Sequence, residues 1–144
     1  MEFAQRGITD FQIPIDTVSI GDWAFSGNEL TKVKLSSRIK KIYPDILSGN
    51  RLTHIDIPQS VAEIDKMAFY DNEIENLFIP QNVRRIGEKA FFDNPLVSFQ
   101  IGDNVELEES SLGDDGAKDC YYRNGRVQGK YVRSVYGEWI YDNN

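Results

Sequence analysis

One pattern of apolar residues recurs every 22 positions through most of this chain. A shift of 22 residues places Leu52 on Ile74 and Ile57 on Ile79, and further shifts in both directions again place apolar residues on apolar residues. The full units span residues 20–41, 42–63, 64–85 and 86–107, and we expect no insertion or deletion between them. A fixed period of roughly 20–50 residues is typical of solenoids, in which stacked units bury one continuous core.

The most regular columns of the repeat are apolar and predict that core. An isoleucine leads each unit at positions 20, 42, 64 and 86, and an apolar pair follows four and five residues later. Identical spacing places like residues above one another when units stack, so each column becomes a ladder along the long axis.

Each unit also contains the pattern LxxIxI, of which Leu52–Ile57 is an example. Its alternation of apolar and polar residues predicts a short strand, and Pro14, Pro58 and Pro80 mark strand ends because proline cannot donate to a ladder hydrogen bond. Strands that recur at one period must run parallel, so the rest of each unit supplies the return crossover.

An asparagine occupies one position in every unit: Asn28, Asn50, Asn72 and Asn94. A side-chain amide at the tight corner of a solenoid can satisfy backbone groups that have no strand partner. We therefore interpret the column as a structural clip, and the preceding Gly27, Gly49, Asp71 and Asp93 as turn residues.

The two ends of the chain depart from the repeat. Residues 1–19 match half a unit, which is either a worn capping unit or the edge of a longer array. Residues 108–144 are expected to form an acidic, solvated loop and a β-hairpin cap within the same domain. Asn124-Gly125, flanked by β-prone residues, is a hairpin-turn signal, and the aromatics of this tail could cover the last repeat.

Composition excludes several classes of function. The chain has 144 residues, 40% hydrophobic residues and a formal charge of −7, which disfavours nucleic-acid binding because that requires a basic face. No apolar run approaches the ~20 residues that a membrane-spanning helix needs. Cys120 is the single cysteine, and no secretory signal follows Met1.

The unit LxxIxIPxxVxxIxxxAFxxN resembles the BspA-type leucine-rich repeat of bacterial surface proteins, with asparagine where many copies of that family carry cysteine. The resemblance covers about residues 8–105, and the segment 121–139 is similar to a tail that closes some such arrays. It implies a right-handed, curved leucine-rich repeat solenoid with a concave parallel sheet and an irregular or short-strand convex side. It also implies display outside the cell and use in adhesion or protein contacts.

The binding surface of such a solenoid is expected on the concave sheet, where solvent-facing positions form two columns. The candidate ligand-binding residues are Lys32, Lys34, His54, Asp56, Asn76, Phe78 and Gln100. Phe78 is the large apolar side chain in an otherwise polar column, so it is a candidate anchor. Lys34 is expected to face Asp56 and to pair with it.

The sequence offers little support for catalysis or cofactor binding. His54 lacks a nucleophile at a recognisable spacing, and no phosphate loop, HExxH motif or Cys/His cluster occurs. The acidic residues of segment 106–119 raise a calcium hypothesis, but they do not match the calcium-loop pattern, which favours a solvated linker.

We therefore expect a non-catalytic, monomeric module, without cofactor or metal, that binds a protein partner such as a host or matrix protein. The alternative is a structural spacer in a larger bacterial surface protein, with no ligand of its own. Neither reading involves nucleic acid or membrane insertion.

Overall fold

The computed structural model describes residues 3–142. Its elements are β1 (Asp10–Gln12), β2 (Lys32–Lys34), β3 (Lys41–Ile42), β4 (Glu63–Ile64), β5 (Asn76–Phe78), β6 (Arg85–Ile86), β7 (Ser98–Ile101), β8 (Glu106–Leu107), α1 (Asp115–Arg123), β9 (Gly129–Arg133) and β10 (Trp139–Asp142). The expected solenoid of short parallel strands, closed by a C-terminal β-hairpin, is confirmed.

The solenoid has two walls of parallel strands. We call β1, β2, residues 53–57, β5 and β7 the front wall, and β3, β4, β6 and β8 the back wall. The back wall is one continuous ladder. The front wall is divided. Among residues 3–142, residues 53–57 join β2 through one bridge, between Lys34 and Asp56, and β5 pairs with β7 alone.

Apolar ladders fill the space between the walls. Ile42, Ile64 and Ile86 are almost fully buried, as the leading column predicts. The Phe69 and Phe91 rings stack with centroids 5.0 Å apart and an interplanar angle of 10°. Burial of apolar side chains at about 25 cal/mol per Å² is the main stabilising contribution to such a core.

The asparagine column forms the predicted structural clip. Asn72 Oδ1 accepts from the Leu52 N–H at 3.0 Å, and Asn72 Nδ2 donates to the carbonyls of Leu47 and Phe69 at 3.0 and 3.2 Å. Asn50 and Asn94 make the same set of bonds in their own turns. Each amide therefore satisfies backbone groups of its own turn and of the turn before it.

Each turn has two corners with left-handed backbone geometry. The first corner was expected and holds Gly27, Gly49, Asp71 and Asp93, with φ between 53° and 65°. The second was not expected, because no glycine marks it. It holds Trp23 (φ 62°), Asp45 (53°), Met67 (52°), Lys89 (53°) and Ser110 (49°). A left-handed residue other than glycine costs roughly 1–2 kcal/mol, which the bonds between stacked turns must offset.

The last register differs from the expected one. Ile86 pairs with Leu107, 21 residues later, whereas Ile42 pairs with Ile64 and Ile64 with Ile86 at 22. The fourth unit is therefore one residue short, and the next leading position is Leu107 rather than Glu108. The repeat continues beyond Leu107, and Leu112 is fully buried at the position that Phe91 occupies one turn earlier.

The C-terminal segment corrects two expectations. Residues 115–123 form α1 instead of a solvated loop, and Asn124-Gly125 ends that helix instead of turning a hairpin. Ala117, Cys120 and Tyr121 lie at helical spacing and are buried, so the segment gains more by packing as a helix. The hairpin consists of β9 and β10, and β9 adds antiparallel to β7.

Candidate functional site

The solvent-facing side of the front wall carries all of the candidate binding residues. Strand alternation turns the neighbouring Leu77 and Phe99 into the core. The seven predicted side chains are all exposed: Lys32, Lys34, His54, Asp56, Asn76, Phe78 and Gln100. The structure divides them into two groups, because the front wall is interrupted between residues 53–57 and β5.

The N-terminal group lines a depression of about 460 Å³. Half-buried Phe11 and Val33 lie among its lining residues, with the hydroxyls of Thr31 and Thr53. The lining also includes Asp10, Gln12, Lys32, Lys34, His54 and Asp56. A cleft of this size, with polar groups around an apolar patch, lies within the usual range of roughly 300–1,000 Å³ for ligand sites.

The expected ion pair between Lys34 and Asp56 is wrong. Their backbones are bridged, but among residues 3–142 no ion pair joins the two side chains. Asp56 Oδ1 instead lies 2.8 Å from His54 Nε2, because residues two apart on one strand project from the same face. Both side chains are largely exposed, so the contact contributes little to stability.

The C-terminal group surrounds Phe78, whose side chain is 49% exposed. β5 and β7 align Asn76 with Ser98 and Phe78 with Gln100. The Ser98 hydroxyl donates to Asn76 Oδ1 at 2.6 Å. Phe78 is thus an apolar side chain in a polar frame, which is the usual arrangement at a contact hot spot.

Comparison with known proteins agrees with this architecture. A family model described as the BspA type leucine rich repeat region matches residues 1–114 with six copies. The chain belongs to the BspA-type leucine-rich repeat family. The matched region ends seven residues after Leu107, directly before α1 begins at Asp115.

A solved structure supports the same assignment. A leucine-rich repeat protein from Bacteroides ovatus ATCC 8483 superposes on this BspA-type chain with a TM-score of 0.63 and 25% sequence identity. The match covers 78% of this chain and 29% of that protein. No curated protein matches the chain.

The C-terminal hairpin enlarges the front face of this BspA-type array, which sequence analysis missed. β7 aligns Ser98 with Val132 and Gln100 with Lys130, and β10 then places Ile140 beside Val132. Ile140 is 47% exposed. The alternation of residues 129–133 indicates a strand. Its pairing with β7 depends on α1, which the sequence analysis interprets as a loop and a turn, so the alignment of β9 with β7 was not predicted.

The back wall of the BspA-type array holds a ladder of alternating charge. Lys41 Nζ lies 3.1 Å from both Glu63 and Asp65, and an Arg85 guanidinium nitrogen lies 2.5 Å from Glu108. Burial alone would raise the pKa of Asp65, but the Lys66 N–H and the Lys41 ammonium together lower it. The hydrogen bonds that the Lys41 ammonium donates to Asp65 and Glu63 raise the pKa of Lys41. These side chains stabilise the stacking and are not free for a ligand.

The single cysteine and the potential metal ligands were the remaining candidates for reactive chemistry. Cys120 is buried, and that burial raises the pKa of its thiol, which makes it a poor nucleophile. Within residues 3–142 no three histidine, cysteine or carboxylate side chains converge as metal ligands would. Members of the BspA-type family and fold are generally not enzymes.

Three acidic residues after Leu107 have structural partners, namely Glu108, Asp114 and Asp115. Asp114 Oδ1 caps α1 through the Ala117 N–H at 3.0 Å and accepts from the Trp139 indole at 3.1 Å. Asp114 also pairs with Arg133.

In the described part of the chain, 3–142, no helix is long and apolar enough to span a bilayer.

Proposed function

We propose that this chain is a non-catalytic module that binds a protein partner through the solvent-facing side of its front wall. The family generally provides repeat scaffolds for protein interaction, and that general role is the starting point. Host and matrix proteins are the candidate partners, and display on a bacterial surface is proposed because family members are generally surface-associated.

The exposure of Phe78 is the observation that carries the proposal. The Phe78 side chain is 49% exposed on β5, so it presents apolar surface to water in the free protein and can bury that surface in a complex. Asn76, Ser98 and Gln100 can complete a polar rim around it. Aromatic anchors within such rims dominate the energy of many protein interfaces.

A capture experiment tests this proposal. The front-face variant combines Phe78→Ser with Lys34→Glu, and the control combines Tyr136→Ser with Lys40→Glu, which likewise replaces one exposed aromatic and one exposed lysine but outside the front wall. Both variants should keep the wild-type melting temperature, because all four side chains are exposed. The front-face variant should lose the partners that wild type and control retain. Equal recovery of every partner by all three proteins would contradict the proposal.

The second candidate function is a spacer within a longer surface protein. The observation in its favour is that the match covers 29% of the Bacteroides ovatus protein, so similar repeats occur as parts of longer chains. A spacer predicts that the front-face variant behaves like wild type in every capture.

A further inference from the structure

We propose that the depression on the N-terminal half of the front wall binds an extended acidic segment of a partner protein, in which two carboxylates lie two residues apart. This inference rests on the proposed function and adds the chemistry of the segment that is bound. It concerns the depression lined by β1, β2 and residues 53–56, and not the surface around Phe78.

Lys32 and Lys34 supply the positive charge. Both project from the solvent side of β2 and both are exposed. Among residues 3–142, the lysines with a carboxylate oxygen within 4.0 Å are Lys41, Lys89 and Lys130. Within that part of the chain the ammonium groups of Lys32 and Lys34 have no carboxylate partner, in a protein whose formal charge is −7.

The spacing of these two lysines selects the shape of the ligand. Residues two apart on a strand are separated by about 6.8 Å and point the same way. An extended segment with carboxylates at positions i and i+2 has the same spacing on one of its faces. A segment with adjacent carboxylates places them on opposite faces, so only one of the pair can reach the lysines.

The flanking residues favour a narrow ligand over a broad polyanion. Asp10 lies beside Lys32 in the register of β1 and β2, and Asp56 lies beside Lys34. These carboxylates repel negative charge on either side of the lysine stripe. Lysine stems are longer than aspartate side chains, so an approaching strand meets the ammonium groups first.

The lining supplies contacts for the rest of such a segment. Phe11 and Val33 are half-buried and offer apolar surface beneath a ligand backbone. The hydroxyls of Thr31 and Thr53 can donate to carboxylate oxygens. Asp56 Oδ1 lies 2.8 Å from His54 Nε2, so this lining carboxylate already has one exposed partner.

Two peptide isomers test the inference on the full chain. Fluorescent, end-blocked octapeptides carry four glutamates and four threonines, either alternating singly or in adjacent pairs. Net charge and composition are the same, but only the alternating peptide has glutamates two residues apart. By fluorescence anisotropy, we expect the alternating peptide to bind about fivefold more tightly, and to weaken as salt is added.

Two double variants test whether the alternating peptide binds at Lys32 and Lys34. Lys32→Gln combined with Lys34→Gln should abolish the preference, whereas Lys66→Gln combined with Lys118→Gln, which removes the same charge elsewhere, should retain it. Unchanged thermal melting establishes that both variants are folded. Equal affinity for the two isomers, binding that survives loss of Lys32 and Lys34, or no binding by wild type would each overturn the inference.

The outcome is separable from that of the proposed function. Phe78→Ser should leave peptide binding unchanged, because Phe78 lies outside the depression. If the peptides fail while partner capture still depends on Phe78, the proposed function stands and this inference falls. A thymidine oligonucleotide that binds as tightly as the alternating peptide would also overturn it, since the site would then be a general anion surface.

Discussion

The Oδ1 atom of Asn72 accepts a hydrogen bond from the backbone N–H of Leu52, one turn earlier in the solenoid, at 3.0 Å. Both residues are buried, at 6% and 0% exposure. A side chain thus supplies a bond that neither wall can supply at this corner, and the stability of two consecutive turns depends on it.

The Asn72→Ala substitution should therefore destabilise the chain strongly. It leaves the buried Leu52 N–H without its partner, which costs about 1–3 kcal/mol, and removes one of the two amides that donate to the Leu47 carbonyl, the other being that of Asn50. We expect the free energy of unfolding, measured with denaturant, to fall by about 3 kcal/mol. Asn76→Ala, at an exposed asparagine four residues later, is the control and should change it by less than about 0.5 kcal/mol.

The Asp45→Asn substitution should stabilise the chain at neutral pH. Burial raises the pKa of Asp45, and the residue is 3% exposed with φ of 53°. Because the folded-state pKa is raised, ionisation destabilises the folded chain as pH rises above the ordinary value of 3.8. Asparagine is neutral and tolerates left-handed geometry, so we expect a gain on the order of 1 kcal/mol at pH 7. The gain should disappear below about pH 3.8, and a loss of stability at pH 7 would contradict the argument.

The Asp65→Asn substitution should have the opposite sign at neutral pH. The Lys66 N–H and Lys41 ammonium outweigh burial and lower the pKa of Asp65, so its ionised form stabilises the folded state above the ordinary value of 3.8. Loss of this interaction should cost about 1 kcal/mol at pH 7. The difference from wild type should close as pH falls through the lowered folded-state pKa. Urea titrations at pH 7 and below pH 3.8 measure both aspartate variants, and an equal effect at both pH values would contradict this account.

The Gly87→Ala substitution should be destabilising for a steric reason. A Cβ atom at position 87 would lie 2.5 Å from the Lys66 backbone nitrogen, so the adjacent turn must shift. Overpacking of this kind costs about 1–3 kcal/mol. Gly21, three turns earlier in the same column, has open space at its Cβ position and is the matched control. In thermal melts, we expect Gly87→Ala to lower the melting temperature and Gly21→Ala to leave it unchanged or slightly raised. Equal melting temperatures of the two variants would disprove the steric explanation.

The repeat columns were sufficient to predict the solenoid, because each column gives several independent observations of one environment. The Ile42, Ile64 and Ile86 column and the asparagine column both took the predicted roles. The second left-handed corner was hidden because Trp23, Met67 and Lys89 give no local sign of positive φ. Their backbone geometry is imposed by bonds from the neighbouring turn, such as Met67 N–H to the Glu88 carbonyl at 3.0 Å.

The C-terminal helix could have been predicted. Asp114 stands at the N-cap position, and Ala117, Cys120 and Tyr121 have the spacing of one helical face. The Asn124-Gly125 dipeptide was the stronger local signal but serves a different turn. Gly125, with φ of 71°, donates to the Tyr122 carbonyl and ends the helix.

The exposure of the candidate site followed from strand alternation, whereas its division into two groups did not. Side-chain direction in a strand is a local property with a period of two residues. The separation of Lys34 from Phe78 depends on how residues 53–57 pair with their neighbours, which no single unit encodes. Asp56 likewise has two nearby candidate partners, and it contacts His54 instead of the expected Lys34.

The asparagine bonds also give the array a direction. Asn50, Asn72 and Asn94 each reach backward, to backbone groups 20 and 25 residues earlier, and none of these amides bonds to the turn that follows. Each turn is thus completed by its successor, and the end of the last one is completed by α1, where the Tyr121 and Tyr122 hydroxyls accept from the Val105 and Leu107 N–H groups. Loss of the first turn would leave the Asn50 side chain without the Leu30 N–H and the Phe25 carbonyl. Loss of the last turn would instead leave backbone N–H groups such as that of Ile74 without an acceptor, so the C-terminal side of the array is the one that needs a closing segment.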